Sequence, residues 1–580
     1  MLKLIGRRQK TLMSQKFYSM LLGGTLTMMI VSVLLMSDSV IAGSVINSAA
    51  VEGITLVTPL YSLSAFFGSV VSLGVPILYS TEMGRFQKRE ADRVFGVGLL
   101  TSLGVSMALF AFTCLFGDAM IASYNPTAAV LEYARGYLGW MRFTILLLPM
   151  NMLLAAVVFN DGDETVSTIA NAVQGVGNLA ASLWLSRIYG IQGIALASFL
   201  FNLVSMMILS THFLRKNNSL RLNFCFSWDI LKRIIRYSII DASSYLFLAA
   251  FSAGMSLFVS WRFGQQYLIL ASVLMLCREL QMVFDGIGEA ISPILSVYLG
   301  EDCYAGVRAI YALARRTSIL EGTVVTLLLI LLAPLVPAVL HISNPDLASA
   351  AVLCLRSVAL GSCPVCQLYL STSYYLLIDK IGLGLMICAL RDVLVTTPLA
   401  VLLGSLFGLY GFFTALALAP SLAWLGSALF LRTRYKGDAP LLLGERERGK
   451  VSLLYNLAVE PEDVIRARDA IGDELRQRGY DNRTITRVAL LFEELFMLLH
   501  EKNAGRAVQG ECALLLEGDR IRLIARDTGI KFNLSDSDME VSSLRSYVVS
   551  RVAETISTDK RHLVTMSFNR NVFEISARPV

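Results

Sequence analysis

The sequence specifies an all-α polytopic membrane protein, twelve helices in two parallel six-helix repeats, followed by a C-terminal α/β sandwich domain. Three observations lead there. Hydrophobic residues make up 55% of the 580 and charged residues only 16%, where soluble domains carry about 25% charged. The apolar residues fall in runs of about twenty, enough to cross roughly 30 Å of hydrocarbon as a helix. From about residue 432 the composition reverts to that of a water-soluble domain.

The runs lie near 17–36, 54–79, 94–116, 137–159, 165–186 and 191–214 in the first half. In the second half they lie near 236–260, 267–290, 318–340, 351–377, 383–404 and 409–431. Residues 1–16 carry Lys3, Arg7, Arg8, Lys10 and Lys16, and the run after them is a spanning length rather than the core of a cleaved signal. Alternate links are basic: Arg85, Lys88, Arg89 and Arg93; Arg215 to Arg236; Arg308, Arg315 and Arg316; Arg432, Arg434 and Lys436. Basic loops stay in the cytoplasm, so both termini are expected there, in a cell (inner) membrane. The boundaries are therefore an N-terminal segment 1–16, lobes 17–214 and 236–431, linkers 215–235 and 432–449, and a cytoplasmic domain 450–580.

The net charge of +6 fits cytoplasmic loops against anionic lipid; no basic stripe with interleaved aromatics points to nucleic acid. Nine cysteines are scattered. Cys363-Pro-Val-Cys366 has metal-like spacing but sits in an apolar run without further ligands, so no metal is expected.

The halves share punctuation. Val75-Pro76-Ile77-Leu78 with Gly84 matches Ser292-Pro293-Ile294-Leu295 with Gly300, and Tyr189-Gly190 to Gly193 matches Phe407-Gly408 to Gly411. The offsets are 217 and 218 residues, so the lobes read as a duplication about an axis along the membrane normal. Transporters built this way bind substrate between the halves and rock them. Phe159-Asn160-Asp161-Gly162-Asp163 with Asn171, Asn178 and Gly190–Ala197 resembles the MATE (multidrug and toxic compound extrusion) family of the MOP superfamily, as do Gly286–Pro293 and Arg391 before Phe407–Gly411. The resemblance covers about residues 15–432 and implies Na⁺- or H⁺-coupled export of small molecules, organic cations and drugs among them.

Ionisable groups in a span are functional candidates by default. Asp38, in Ser37-Asp38-Ser39, matches the family's cation-binding aspartate of the first helix; the competing reading is a loop residue outside the membrane. Asn171, Gln174 and Asn178 recur at i, i+3 and i+7 and are expected on one helix face. They line a cavity or bond between helices. Asp285 and Glu289 are i, i+4 in the second lobe. Arg391 is the counterpart of Gln174 by the offset. If Arg391, Arg278, Arg142 and Arg356 faced the cavity, a flippase of lipid-linked or anionic substrates would replace a cation exporter.

After residue 450 the order β-α-α-β-β-α-β-β resembles the GHKL ATPase fold, in its anti-sigma-factor kinase-like branch. Glu493-Glu494 matches the helix supplying a general base, and Asp527-Thr528-Gly529 the motif reading adenine. Met497 or Leu498 replaces the metal-binding Asn, and no glycine-rich lid precedes Ser542. Phosphate loops need closely approached backbone N–H groups, so the domain reads as degenerate, with ATP no expected cofactor and no enzymatic role. It is expected to regulate transport or bind a cytoplasmic protein partner; a membrane sensor or scaffold signalling through it is the alternative from another class.

Overall fold

A computed structural model describes residues 2–4, 12–84, 88–161, 163–215, 220–221, 226–444, 450–530, 544–563 and 566–577. The chain divides into two compact units, Thr27–Phe284 with Ile319–Ser427, and Met1–Leu26 with Asp285–Ser318 and Ala428–Val580.

The first half runs as α1 (Leu12–Val45), α2 (Ser48–Gly84), α3 (Lys88–Ser123), α4 (Ala128–Asn160), α5 (Glu164–Ala172), α6 (Asn178–Tyr189) and α7 (Ile191–Ser210). The second runs as α8 (Trp228–Phe263), α9 (Ile269–Gln281), α10 (Asp285–Gly300), α11 (Tyr304–Leu332), α12 (Val336–Val339), α13 (Pro345–Leu360), α14 (Ser362–Leu377), α15 (Ile381–Ala389) and α16 (Thr396–Tyr435). Among the described residues eight helices are long and apolar enough to cross a membrane, or nine if the bent pair α13–α14 is one span. The count of twelve is not reached on that measure. One reason is that the run 165–186 is divided by a π-turn at Val173–Gly177. Another is that 383–404 and 409–431 join into one 55-residue stretch, bent at Gly408.

The duplication is written into the backbone. The π-turn at Val173–Gly177 recurs at Leu390–Leu394, again 217 residues on. Gly190 (φ 59°, ψ −137°) and Gly408 (φ 63°, ψ −148°) make the same sharp break, in a region closed to most L side chains. Thr55 donates to Ser272 Oγ at 2.8 Å, and the two are separated by 217 positions. Equivalent residues of the halves thus touch, which puts the pseudo-twofold axis between α2 and α9.

In the second unit a six-stranded sheet has the order β1-β2-β3-β4-β6-β5. Its strands are β1 (Leu2–Leu4), β2 (Val451–Ala458), β3 (Gln509–Glu517), β4 (Arg520–Asp527), β5 (Thr555–Leu563) and β6 (Met566–Ser576). Helices α17 (Pro461–Gln477), α18 (Asn482–Lys502) and α19 (Leu544–Val552) interleave with them, and Ile471, Phe492, Phe496, Leu514, Leu523 and Phe573 share their core. The expected order of elements is present, with one addition. Helix α19 ends at Val552 and a strand follows it, because Thr555, Ile556 and Thr558 are β-branched. The N-terminal segment is not simply a tail: Leu2–Leu4 adds a parallel edge strand to β2.

The sheet's other face meets the turn between α10 and α11. Glu511, Arg526 and Arg570 are neighbours across β3, β4 and β6. Arg526 pairs with both Glu511 and Glu301, Arg570 pairs with Glu301 at 2.7 Å, and Tyr298 donates to Glu511 at 2.8 Å. Burial pushes the Glu511 carboxyl up against the opposing pull of Arg526. In the same unit α1 and α10 cross with their backbones touching: a Cβ on Gly286 would lie 2.7 Å from Thr25 N.

Candidate functional site

Asp38 lies inside α1, seven residues before its end, and not in a loop. The helix continues past 36 because Ser37–Val45 contains no Gly or Pro before Gly43. One carboxylate oxygen accepts from Tyr137 Oη at 2.8 Å and from Ser198 Oγ at 3.3 Å. Ser198 also accepts from Asn178 Nδ2 at 3.1 Å, and Asn178 Oδ1 accepts from Ser182 at 2.8 Å. A turn away, Gln174 accepts from Asn151 Nδ2 and donates to Asn202 Oδ1, both at 3.0 Å. Ser205 donates to Asn151 at 3.2 Å. Every amide here finds a partner on another helix or in the next turn, as apolar surroundings require.

Asn171 is exposed and, among the described residues, has no hydrogen bond to this set. The π-turn begins two residues later, and its wider turn rotates the rest of the helix relative to Asn171. Gln174 and Asn178 therefore meet α4 and α7 while Asn171 does not. Sequence reasoning missed Tyr137, Asn151, Ser198 and Asn202. The legible signal was a lone Asn in each of two apolar runs.

Glu279, on α9, lies within electrostatic reach of Asp38, and Tyr61 and Tyr137 lie within reach of both carboxyls. Its Oε2 is buried with no hydrogen-bond partner among the described residues. Neighbouring Arg278 turns the other way, to Asp392 Oδ1 at 3.4 Å. Arg391 is 3% exposed; it holds Asp392 with both Nε at 2.8 Å and Nη2 at 2.7 Å and stacks on Tyr369 at 3.7 Å. Arg142 pairs with Asp118 at 3.5 Å. Asp285 and Glu289 belong to the other unit, at the half-buried and exposed positions of α10.

In the C-terminal domain Asp527 Oδ1 accepts from Asn569 Nδ2 at 2.8 Å and from the Gly529 N–H at 2.9 Å. Its Oδ2 is buried without a partner among the described residues, and burial raises the carboxyl to about 6. Gly529 abuts Asn503, which would stand 2.6 Å from a Cβ there. Glu493 is held by Arg468 at 2.9 Å and Glu494 by Arg545 at 2.7 Å. Leu498 is buried and Met497 packs on the same core. The expected lid position before Ser542 lies outside the described residues.

A duplicated helical bundle with a carboxylate inside a span belongs to the class of multi-pass membrane proteins with a transporter fold. The MatE family profile matches residues 25–184. An inward-facing multidrug-resistance MATE transporter of the MOP superfamily superposes with a TM-score of 0.65 at 16% identity, over 72% of this chain and 97% of that one. The MATE multidrug transporter DinF-BH in complex with R6G gives 0.60 at 16%, over 75% and 100%. An outward-facing MATE transporter gives 0.58 at 16%, over 73% and 98%. No protein of curated function matches. The fold of the membrane part is that of MATE transporters.

Proposed function

We propose that the protein is a secondary antiporter, coupled to Na⁺ or H⁺, that exports small organic cations by alternating access of two six-helix lobes. The observation that carries this is the surroundings of Asp38: its partners are hydroxyls, and the nearby charge is a second carboxylate, Glu279. Such a site attracts cations and exchanges one for another. Twelve crossings with cytoplasmic termini in the cell membrane, and Asn178 and Gln174 as the supporting amides, belong to the same reading. Three of the four arginines that would argue for an anionic substrate are already paired, Arg391 and Arg278 on Asp392 and Arg142 on Asp118, and the fourth, Arg356, lines a cavity that Asp38 does not. In vesicles holding the full chain, an imposed Na⁺ or H⁺ gradient should drive a cationic dye. Asp38→Asn should abolish the movement in folded protein; unchanged transport by that variant refutes the assignment.

The C-terminal domain is read as a GHKL-like regulator that does not hydrolyse ATP. Arginine ion pairs on Glu493 and Glu494 and the apolar burial of Leu498 support this. A magnesium site there lacks an oxygen ligand of the kind Mg²⁺ requires. Calorimetry on the full chain should find no Mg·ATP binding tighter than about 10 μM; a tighter site lost in Asp527→Asn would show a working nucleotide pocket.

A further inference from the structure

A cavity of about 600 Å³ opens on the second lobe, lined by Tyr267, Pro337, Leu353, Arg356, Tyr410 and Phe413 among others. That volume lies in the range of small-molecule sites. Its walls come from Tyr267 in the turn before α9, the residues after α11, α13 and the half of α16 beyond Gly408. By the Lys/Arg bias these are the external ends of their spans.

Arg356 is the unusual wall residue. It lies eleven residues beyond Pro345 in α13, about 16 Å along the axis at 1.5 Å per residue. That is deep in a layer roughly 30 Å thick. It is exposed and has no carboxylate partner among the described residues, unlike Arg278, Arg391 and Arg142. Asp346 also borders the cavity, but ten residues separate the two along α13, about 15 Å of axis, beyond ion-pair reach. Leu353 (39% exposed) and Leu360 (58%) flank Arg356 at i−3 and i+4, so the three share one helix face. Two exposed leucines on a spanning helix mark that face as the one presented to hydrocarbon.

A cation on such a face is satisfied by an anion that arrives through the bilayer. Its side chain also leans toward the helix N-terminus, here the external end, where phosphates lie. We propose that this cavity is a phospholipid site, in which the Arg356 guanidinium binds the phosphodiester of an external-leaflet lipid. Tyr267, Tyr410 and Phe413 flank the glycerol region as aromatic residues do at membrane interfaces. A guanidinium fork suits phosphate oxygens, two at a time.

The test is native mass spectrometry of the delipidated full chain titrated with palmitoyl-oleoyl phosphatidylglycerol, phosphatidylethanolamine, the matching diacylglycerol, and glycerol phosphate. Both phospholipids should bind at one saturable site, diacylglycerol at least tenfold more weakly, and glycerol phosphate should not compete. Arg356→Gln should weaken the phospholipids at least tenfold, and Arg356→Lys much less. Leu353→Trp, which fills the mouth without touching the charge, should also displace lipid and serves if Arg356→Gln does not fold. Equal binding by Arg356→Gln or Leu353→Trp, or by diacylglycerol, overturns the proposal. Competition by glycerol phosphate at equal concentration would make this a soluble-phosphate site and overturn it too.

Discussion

The two π-turns occupy equivalent places in the two lobes and carry opposite chemistry. At Val173–Gly177 the turn presents Gln174 to Asn151 and Asn202, a set of neutral groups tied by single hydrogen bonds. At Leu390–Leu394 it presents Arg391, closed on Asp392 and stacked on Tyr369, with Arg278 reaching the same carboxylate. Duplication preserved the backbone device, an extra residue that swings side chains toward the neighbouring helices. The side chains then diverged. Amide hydrogen bonds contribute about 0.5–1.5 kcal/mol each and can be exchanged, whereas breaking a buried ion pair costs about 3–5 kcal/mol. On this account the first lobe is the adjustable one and the second moves as a fixed body.

The largest expected effect is Asp392→Asn, which leaves the buried Arg391 and the half-buried Arg278 without their carboxylate. A loss of about 3–5 kcal/mol should appear as a large fall in the unfolding temperature in detergent. Replacing Arg391 as well, by Leu, should restore much of it; a single variant as stable as wild type would remove the contrast between lobes.

Deleting Val176 restores α periodicity in the first lobe. Closing the extra residue should draw Asn178 about 1.5 Å along the axis, out of register with Ser198, and end transport at modest loss of stability. Transport that survives the deletion would show that the π-turn has no functional part. The smallest effect is expected for Gln174→Ala, about 1–2 kcal/mol by thermal unfolding from two lost hydrogen bonds.

A further contrast lies in the C-terminal domain, where Asp527 stands without a cation and its carboxyl is raised to about 6. The native state then holds a proton that the unfolded state releases near pH 4, so stability is highest below that point. It should fall as pH rises from about 4 to 6. Hydrogen exchange at β3 and β4 in the full chain, corrected for intrinsic rates, should show protection falling across that window, and Asp527→Asn should flatten it.

Much of the membrane fold was legible because hydrophobic length and glycine punctuation are local signals. The 217-residue offset read from Pro76 and Pro293 recurs in the π-turns and in the Thr55–Ser272 contact. The π-turns themselves were not legible. Val-Gln-Gly-Val-Gly and Leu-Arg-Asp-Val-Leu share only the valine at their fourth position, and without the turns the helical wheel placed Asn171 beside Gln174. Partners such as Tyr137 and Ser198 come from helices 99 and 160 positions away from Asp38, a distance at which residue spacing says nothing. The charge cluster joining Glu301 to Arg526 was hidden for the same reason, 225 positions apart.

The central claim is that Asp38 trades its coupling cation for substrate. Titrating the detergent-solubilised full chain with a cationic dye, in two buffers of different ionisation heat and with ²²Na⁺ present, reads the exchange directly. The account predicts release of about one proton or one Na⁺ per dye bound, lost in Asp38→Asn. Dye binding of equal affinity in both proteins, with the same ion release or none, would contradict it.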